Sequence, residues 1–249
     1  MNTLFFASLA SFFVCAGIVI ALVLAFSLFR HRQPMKIMNA VWILTALWAH
    51  YFALFAYYTF GMRWEDMAGP STNHRHMNMG FKTDASMPME MPMTINMDAE
   101  RPRWQSITLS TLHCGAGCTL ADLTGELFTA YVPLRLGGSL LAGSWALDFG
   151  LALLFGIFFQ FIAIREMENI SFSKALSRAF KADVLSLTAW QIGMYAWMAI
   201  AYFVIFAGRP LQKDSCIFWF MMQIAMFAGF ICSYPMNALL IRLGIKKGM

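Results

Sequence analysis

Charged residues are scarce in this sequence. They make up 12% of its 249 residues, against roughly 25% in an ordinary soluble domain. Hydrophobic residues make up 59%, which is more apolar surface than one soluble core of this size can bury. A soluble enzyme, a disordered protein and a disulfide-rich secreted module are therefore excluded. The composition indicates a protein that crosses a membrane several times.

The common catalytic and nucleotide-binding motifs are also missing. The sequence has no GxGxxG, no Walker loop, no HExxH and no Ser-His-Asp pattern in a suitable context. No internal repeat is evident, so an inverted-repeat transporter is not supported. The formal charge of +5 is small and is typical of loops near lipid headgroups, not of nucleic-acid binding.

Five stretches are long and apolar enough to cross a bilayer, which takes about 20 residues. They are residues 4–29, 37–60, 139–164, 184–207 and 217–241. The first has no basic n-region and no small-residue cleavage site, so we expect it to be a retained helix and not a removed signal peptide.

A sixth stretch, residues 104–132, is long enough to span but contains His113, Asp122 and Glu126. A carboxylate at the bilayer centre costs about 2.5–3.5 kcal/mol. We therefore expect this helix to be shielded by the others, or to enter and leave on one side. The sequence predicts an all-α membrane bundle of five to six transmembrane helices with one polar embedded helix, and five full spans are preferred.

The chain divides into three parts on this basis: two N-terminal helices in residues 1–60, a hydrophilic loop in 61–103, and a membrane domain in 104–249. With five spans and an external N-terminus, ten Lys and Arg residues lie inside and eight outside. The rule that basic loops stay inside then favours an extracytoplasmic loop and a cytoplasmic tail at Lys246 and Lys247, in the cell inner membrane.

The hydrophilic loop is rich in methionine, with nine of the 20 methionines of the chain. Its two densest clusters contain these residues: Met87, Met89, Met91 and Met93, and His74, His76, Met77 and Met79. Prolines between them oppose a helix, so these methionines do not form a core stripe. Thioether sulfur selects Cu(I), and Met forms no disulfides in an oxidising compartment. We interpret the loop as a copper-capture segment; the alternative is a low-complexity loop with Met as filler.

The segment from His113 to Glu126 contains the richest chemistry. On a helix, Cys114, Cys118, Asp122 and Glu126 recur at four-residue steps and form one winding stripe. Two cysteines one turn apart can hold a soft metal ion between their sulfurs, and they are also near the reach of a strained disulfide. His113 points off this stripe and joins it only if the helix begins near Cys114. The carboxylates are candidates for a proton or charge relay.

A second row on the same helix consists of Gly117, Ala121 and Gly125, which is a small-xxx-small pattern that lets another helix approach closely. Structural polar packing is therefore the alternative interpretation of the whole segment. We place Asp148 and Asp183 of the following helices near the membrane interfaces. Met194, Met198, Met222 and Met226 recur at helical spacing and are either packing residues or further soft ligands.

This segment resembles a family of bacterial and archaeal membrane proteins filed as a domain of unknown function, with an HCxxGCxxGDxxGE signature. The signature here comprises His113, Cys114, Gly117, Cys118, Asp122, Gly125 and Glu126, with Ala121 where the family usually has Gly. The similarity extends over about residues 104–249 and does not include the Met-rich loop. Members often occur beside copper-handling proteins, so the resemblance implies a copper-related role and copper-handling partners.

The sequence thus predicts a protein that handles copper, most simply as Cu(I), in the membrane, as a transporter, metal donor or resistance factor. No organic cofactor and no nucleic-acid partner is expected; the partners are the metal ion, the bilayer and other copper-handling proteins. Two alternatives stay open: a membrane-bound metal- or thiol-dependent oxidoreductase, and a non-catalytic interaction subunit.

Overall fold

The computed structural model describes residues 3–31, 33, 35–61, 102–168, 170–207 and 211–248. These residues form a bundle of six long helices without a strand among them. The helices are α1 (Thr3–Arg30), α2 (Lys36–Ala56), α3 (Arg103–Tyr131), α4 (Leu140–Met167), α5 (Phe172–Ile200) and α6 (Cys216–Arg242). A π-helical turn extends α2 (Tyr57–Gly61) and another extends α5 (Ala201–Ile205). The prediction of an all-α helical membrane bundle is confirmed.

Serine side chains begin two of the membrane helices. The Ser139 hydroxyl accepts a hydrogen bond from the Ala142 amide at 3.2 Å, and Ser215 accepts one from Phe218 at 3.2 Å. Both satisfy amides that a helix start leaves unpaired, a need that is acute in lipid, where no water replaces the missing partner.

Five helices are long and apolar enough to cross a membrane: α1, α2, α4, α5 and α6. However, α2 turns back on itself at His50, whose φ of 46° and ψ of −121° break the helix. The rings of Trp42 and Tyr57 lie 5.5 Å apart between centroids, although a straight helix would separate these residues by about 22 Å. The second helix is therefore a re-entrant hairpin, with its tip at His50 and both ends at one face of the bundle.

Neighbouring contacts agree with this reversal. The Ser27 hydroxyl, near the end of α1, lies 3.3 Å from the Tyr57 hydroxyl, near the end of α2. At the tip, the Gln223 side-chain amide donates to the Leu47 carbonyl at 2.7 Å, which satisfies a backbone group that the break would otherwise leave unpaired.

The polar helix α3 runs through the centre of the bundle and contacts α2, α4, α5 and α6. It is antiparallel to α4: Gly117 opposes Gly156 and Gly125 opposes Asp148. A Cβ atom on Gly117 would lie 2.8 Å from the Gly156 Cα atom, so the two backbones are in direct contact. The expected close approach along the small-residue row is confirmed, and α4 is the partner.

The bundle has two ends, which we name after two lysines. At the Lys246 face, Phe60 contacts Trp104 with ring centroids 5.7 Å apart, and Gly248 lies beside Ser106. At the Lys213 face, Lys213 donates to Thr129 at 2.6 Å and to Ser144 at 2.8 Å. Since α3 reaches from one face to the other, it crosses the whole bundle.

These contacts bear on two expectations. Residues 37–60 were expected to span; the stretch is long and apolar enough to do so, but within the bundle it folds as a hairpin. Residues 104–132 were preferred as the partial helix, but α3 reaches from one face of the bundle to the other. The loop and the Lys246–Lys247 tail were expected on opposite sides, and that expectation stays a prediction. The structure shows that Gly61 and Pro102, next to the two ends of the loop, lie at the same face of the bundle as the tail.

Candidate functional site: a polar row along the central helix

A row of ionisable and thiol side chains follows α3 through the interior of the bundle. Its members on α3 are His113, Cys114, Cys118, Asp122 and Glu126, each at most 4% exposed. The stripe predicted at four-residue steps is present and faces the interior. Neighbouring segments add polar groups to this row at three levels between the Lys246 face and the Lys213 face.

At the Lys246 face the row ends in a buried ion pair. The Lys246 ammonium lies 3.3 Å from an Asp183 carboxylate oxygen, and both side chains are almost completely buried, at 0% and 1% exposure. Lys246 also donates to the Asn237 side-chain carbonyl at 2.9 Å. Asn237 in turn donates to the Ser233 hydroxyl at 3.0 Å. Together these groups form a closed, hydrogen-bonded plug between the row and this face.

Cys114 connects to the plug through Ser186, whose hydroxyl donates to the Cys114 sulfur at 3.3 Å. The same hydroxyl lies 3.4 Å from an Asp183 carboxylate oxygen. The thiol of Cys118 lies within interaction range of the Cys114 thiol. The two cysteines form no disulfide and are completely buried, so the structure has a pair of adjacent thiols inside the bundle.

His113 is buried in mid-helix, because α3 begins at Arg103 and not near Cys114. The arrangement in which His113 would join the cysteines from a preceding turn is therefore not the one observed. Its ring packs against Phe159, with centroids 6.1 Å apart, and neither ring nitrogen has a hydrogen-bond partner. The charges of Lys246 and Asp183 are close enough to act on it.

Asp122 occupies the middle of the row and is 1% exposed, with both carboxyl oxygens lacking a hydrogen-bond partner. Two further carboxyls, on Asp148 and Glu126, lie close enough to interact with it. A buried carboxyl group without a donor is rare in folded proteins and indicates a bound ion, a proton or a ligand.

At the Lys213 face, Glu126 forms an ion pair with Lys213, and the Ser144 hydroxyl donates to the same carboxylate at 3.3 Å. The Asp148 carboxyl lies close to both Glu126 and Ser144. Ser144 and Lys213 also line an open cavity of about 800 Å³ at this face. The row is thus accessible from the Lys213 face and plugged at the Lys246 face.

The family of the chain follows from a comparison with known proteins. A domain of unknown function (DUF4396) matches residues 103–246. The chain belongs to this family. No curated protein and no solved structure matches the chain.

The DUF4396 match begins at the first residue of α3 and ends at Lys246. It therefore contains the entire polar row, including both ion pairs, whereas α1, α2 and the Met-rich loop lie outside it. The resemblance to an uncharacterised membrane family is confirmed. The signature and its association with copper stay predictions.

Several DUF4396 residues that complete the row were missed by sequence reasoning. Asp148 and Asp183 were expected as helix-end groups near the interfaces, and the structure shows in addition that neighbouring helices bury both side chains. Lys246 and Lys213 were treated only as topological charges, and nothing in the spacing of Ser186 or Ser144 marks them. The one available signal was that lysines flanking a polar membrane segment can return to pair with its carboxylates.

Within the described ranges, no group of three or more His, Cys, Asp or Glu side chains is arranged to hold a metal ion. A two-coordinate site between two sulfurs needs only the Cys114–Cys118 pair. The predicted loop ligands lie outside the described residues: Met87, Met89, Met91, Met93, His74, His76, Met77 and Met79. Of the membrane methionines, Met226 lies beside the row, with its sulfur 4.0 Å from the Thr119 hydroxyl.

Proposed function

We propose that the protein moves or transfers Cu(I) along the polar row of α3, with copper as its cargo. The observation that supports this most is the adjacency of two buried thiols in a row of carboxyls that extends through the membrane. Thiolates are the softest ligands that a protein offers, and Cu(I) accepts two of them without a third ligand.

The carboxyls supply the second part of the proposal. Binding Cu(I) between two thiols releases protons, because thiolate is the ligand. Asp122 lies one turn from Cys118 and has no hydrogen-bond donor, so it can accept a proton or balance the charge of the ion. Asp148 and Glu126 extend this relay towards the open cavity at the Lys213 face.

We further propose that the Lys246 face is cytoplasmic and that the membrane is the cell inner membrane. Three of the 18 Lys and Arg residues belong to connections at the Lys213 face: Arg135, Arg209 and Lys213. The other fifteen lie at the Lys246 face or in segments attached to it. This asymmetry is far larger than the ten to eight expected from sequence, and basic segments stay inside.

This orientation revises the interpretation of the Met-rich loop. Both of its flanking residues lie at the Lys246 face, so we propose a cytoplasmic loop. Resistance to disulfide formation then no longer explains its methionines. Their thioethers still suit Cu(I), and we propose that the loop exchanges Cu(I) with other copper-handling proteins in the cytoplasm.

A competition titration of Cu(I) against a chromophoric chelator tests the metal site. The purified protein in detergent is compared with Cys114→Ser and Cys118→Ser, which keep volume and remove one soft ligand each. Cys15→Ser is the matched control, because Cys15 is an exposed cysteine on α1. We expect at least a tenfold loss of affinity in either site variant and none in the control.

Equal affinity in all four proteins would exclude copper at the thiols and favour a structural role for the helix. A disulfide that forms and breaks with turnover of a redox substrate, without copper binding, would favour the oxidoreductase alternative.

A further inference from the structure

A cavity of about 270 Å³ lies between α1, α2, α3 and α6, separate from the open cavity at the Lys213 face. Its volume is close to the lower end of small-molecule pockets, about 300 Å³. Most of its wall is apolar and includes Ile18 and Leu127, which are each about half exposed on the outside of the bundle. A molecule dissolved in the lipid can therefore reach it from the side.

One ionisable group lines this cavity, and it is Asp122. Neither of its oxygens has a hydrogen-bond partner, as described above. The Thr119 hydroxyl, which also lines the cavity, already donates to the Gly115 carbonyl at 2.8 Å. The Asp122 carboxyl thus lies buried in the wall of the cavity without a donor, and no cationic side chain lines the cavity.

The surrounding charges favour a cation as the occupant. Three carboxyls lie close together here, on Asp122, Asp148 and Glu126, with Lys213 as the cation among them. Lys213 pairs directly with Glu126, which leaves Asp122 uncompensated. A positive charge beside Asp122 would interact favourably with all three carboxyls in a medium that screens poorly.

The wall also contains two indole rings, on Trp48 and Trp219. Indole is the strongest cation–π partner among the side chains, and the contact gains strength where water is excluded. Met222 and Met226 complete the wall with flexible, polarisable surface that adapts to the shape of a ligand.

We propose that this cavity binds a hydrophobic organic cation, of the ammonium class, which enters from the lipid and pairs with Asp122. The site needs neither the thiol pair nor a metal ion, and so it does not rest on copper as the cargo. Its ligand class follows from the combination of one free carboxyl, two indole rings and an apolar wall open to the membrane.

Two probes of equal shape test the charge requirement. Benzyltrimethylammonium is a permanent cation, and neopentylbenzene is its neutral carbon isostere. Binding to the full chain in lipid nanodiscs is measured by equilibrium dialysis, with empty nanodiscs as the background. We expect saturable binding of the cation above this background and only unsaturable partitioning of the neutral probe.

Two variants locate the site. Asp122→Asn keeps the shape and removes the charge, and we expect it to weaken cation binding at least tenfold. Ile18→Phe fills the cavity from α1 without changing any charge, and we expect a similar loss. Glu166→Gln is the matched control. It removes an exposed carboxylate in the last turn of α4, at the Lys246 face, and we expect full binding.

Cys114→Ser and Cys118→Ser separate this proposal from the copper proposal, because both keep cation binding. No saturable binding in the wild type would overturn the cation site. Unchanged binding in Asp122→Asn, or equal saturable binding of the neutral isostere, would overturn it as well, and would identify the cavity as a place for apolar molecules or lipid chains.

Discussion

Trp42 packs edge-on against Tyr57, and its ring also lies 6.2 Å from that of Phe60. All three side chains are buried, so the two arms of α2 share a common apolar seam below the break at His50. This seam keeps both ends of a 26-residue apolar stretch at one face of the bundle. The side of every later segment depends on it, including the ends of the Met-rich loop.

The hairpin can be tested with single cysteines at its two ends. Lys36→Cys and Thr59→Cys, in a background in which the native exposed cysteines are Ser, are labelled with a membrane-impermeant maleimide. We expect both to react from the same side of oriented vesicles, because both arms end at the Lys246 face. A helix that spans would expose them on opposite sides, which would contradict the fold.

The orientation makes a second prediction about the loop and the tail. Topology reporters fused after Ser86 and after Met249 should both show cytoplasmic activity, since their attachment points share the basic face. A fusion after Arg135, in the connection between α3 and α4, should show external activity. An external signal at Ser86 with a cytoplasmic one at Met249 would restore the arrangement expected from the sequence alone.

The sequence predicts the helices of this protein well and their paths less well. Residues 37–60 are long and apolar, and no Pro or Gly marks the break at His50, so hydropathy cannot distinguish a hairpin from a span. The break depends on tertiary contacts, such as the Gln223 amide on the Leu47 carbonyl. For the same reason α3, judged by its own polarity, was preferred as the partial helix. Its carboxyls are shielded by four neighbouring helices that the local sequence does not specify.

The candidate site shows the same division. Cys114, Cys118, Asp122 and Glu126 share a face because of helical spacing alone, and this was predictable. Lys246 pairs with Asp183 across 63 positions of sequence, and Ser186 meets Cys114 across 72. Such contacts depend on which helices pack together, and no spacing pattern encodes that.

The contact between α3 and α4 predicts the effect of adding one methyl group. Gly117→Ala places a Cβ atom against the Gly156 backbone, and overpacking of this kind costs about 1–3 kcal/mol. Gly150→Ala is a matched control on α4, because nothing lies within 4 Å of its Cβ position. We expect it to be neutral or stabilising by up to about 1 kcal/mol. Thermal unfolding in detergent compares them, and equal stability of the two would show that the helices are not in contact there.

The Met-rich loop makes a separate prediction, since it lies outside the described residues. Replacing Met87, Met89, Met91 and Met93 by Leu keeps apolar volume and removes four soft ligands. We expect fewer equivalents of Cu(I) bound per protein, with unchanged thermal stability and an unchanged high-affinity site at the cysteines. The same number of bound equivalents in both proteins would favour filler as the role of these methionines.

The plug at the Lys246 face predicts a strongly coupled pair. Asp183→Asn leaves the Lys246 ammonium buried without a counter-ion. Lys246→Met likewise leaves the Asp183 carboxylate buried without a counter-ion. Removing one partner of a buried ion pair costs about 3–5 kcal/mol of folding stability. The double variant buries no unpaired charge, so we expect its loss of stability to be smaller than that of either single variant. Unfolding of the four proteins in detergent gives the coupling as a double-mutant cycle.

Arg178→Gln provides the control, because its ion pair with Glu168 is exposed and such pairs contribute about 0–1 kcal/mol. Additive effects of the two substitutions would show that Lys246 does not pair with Asp183.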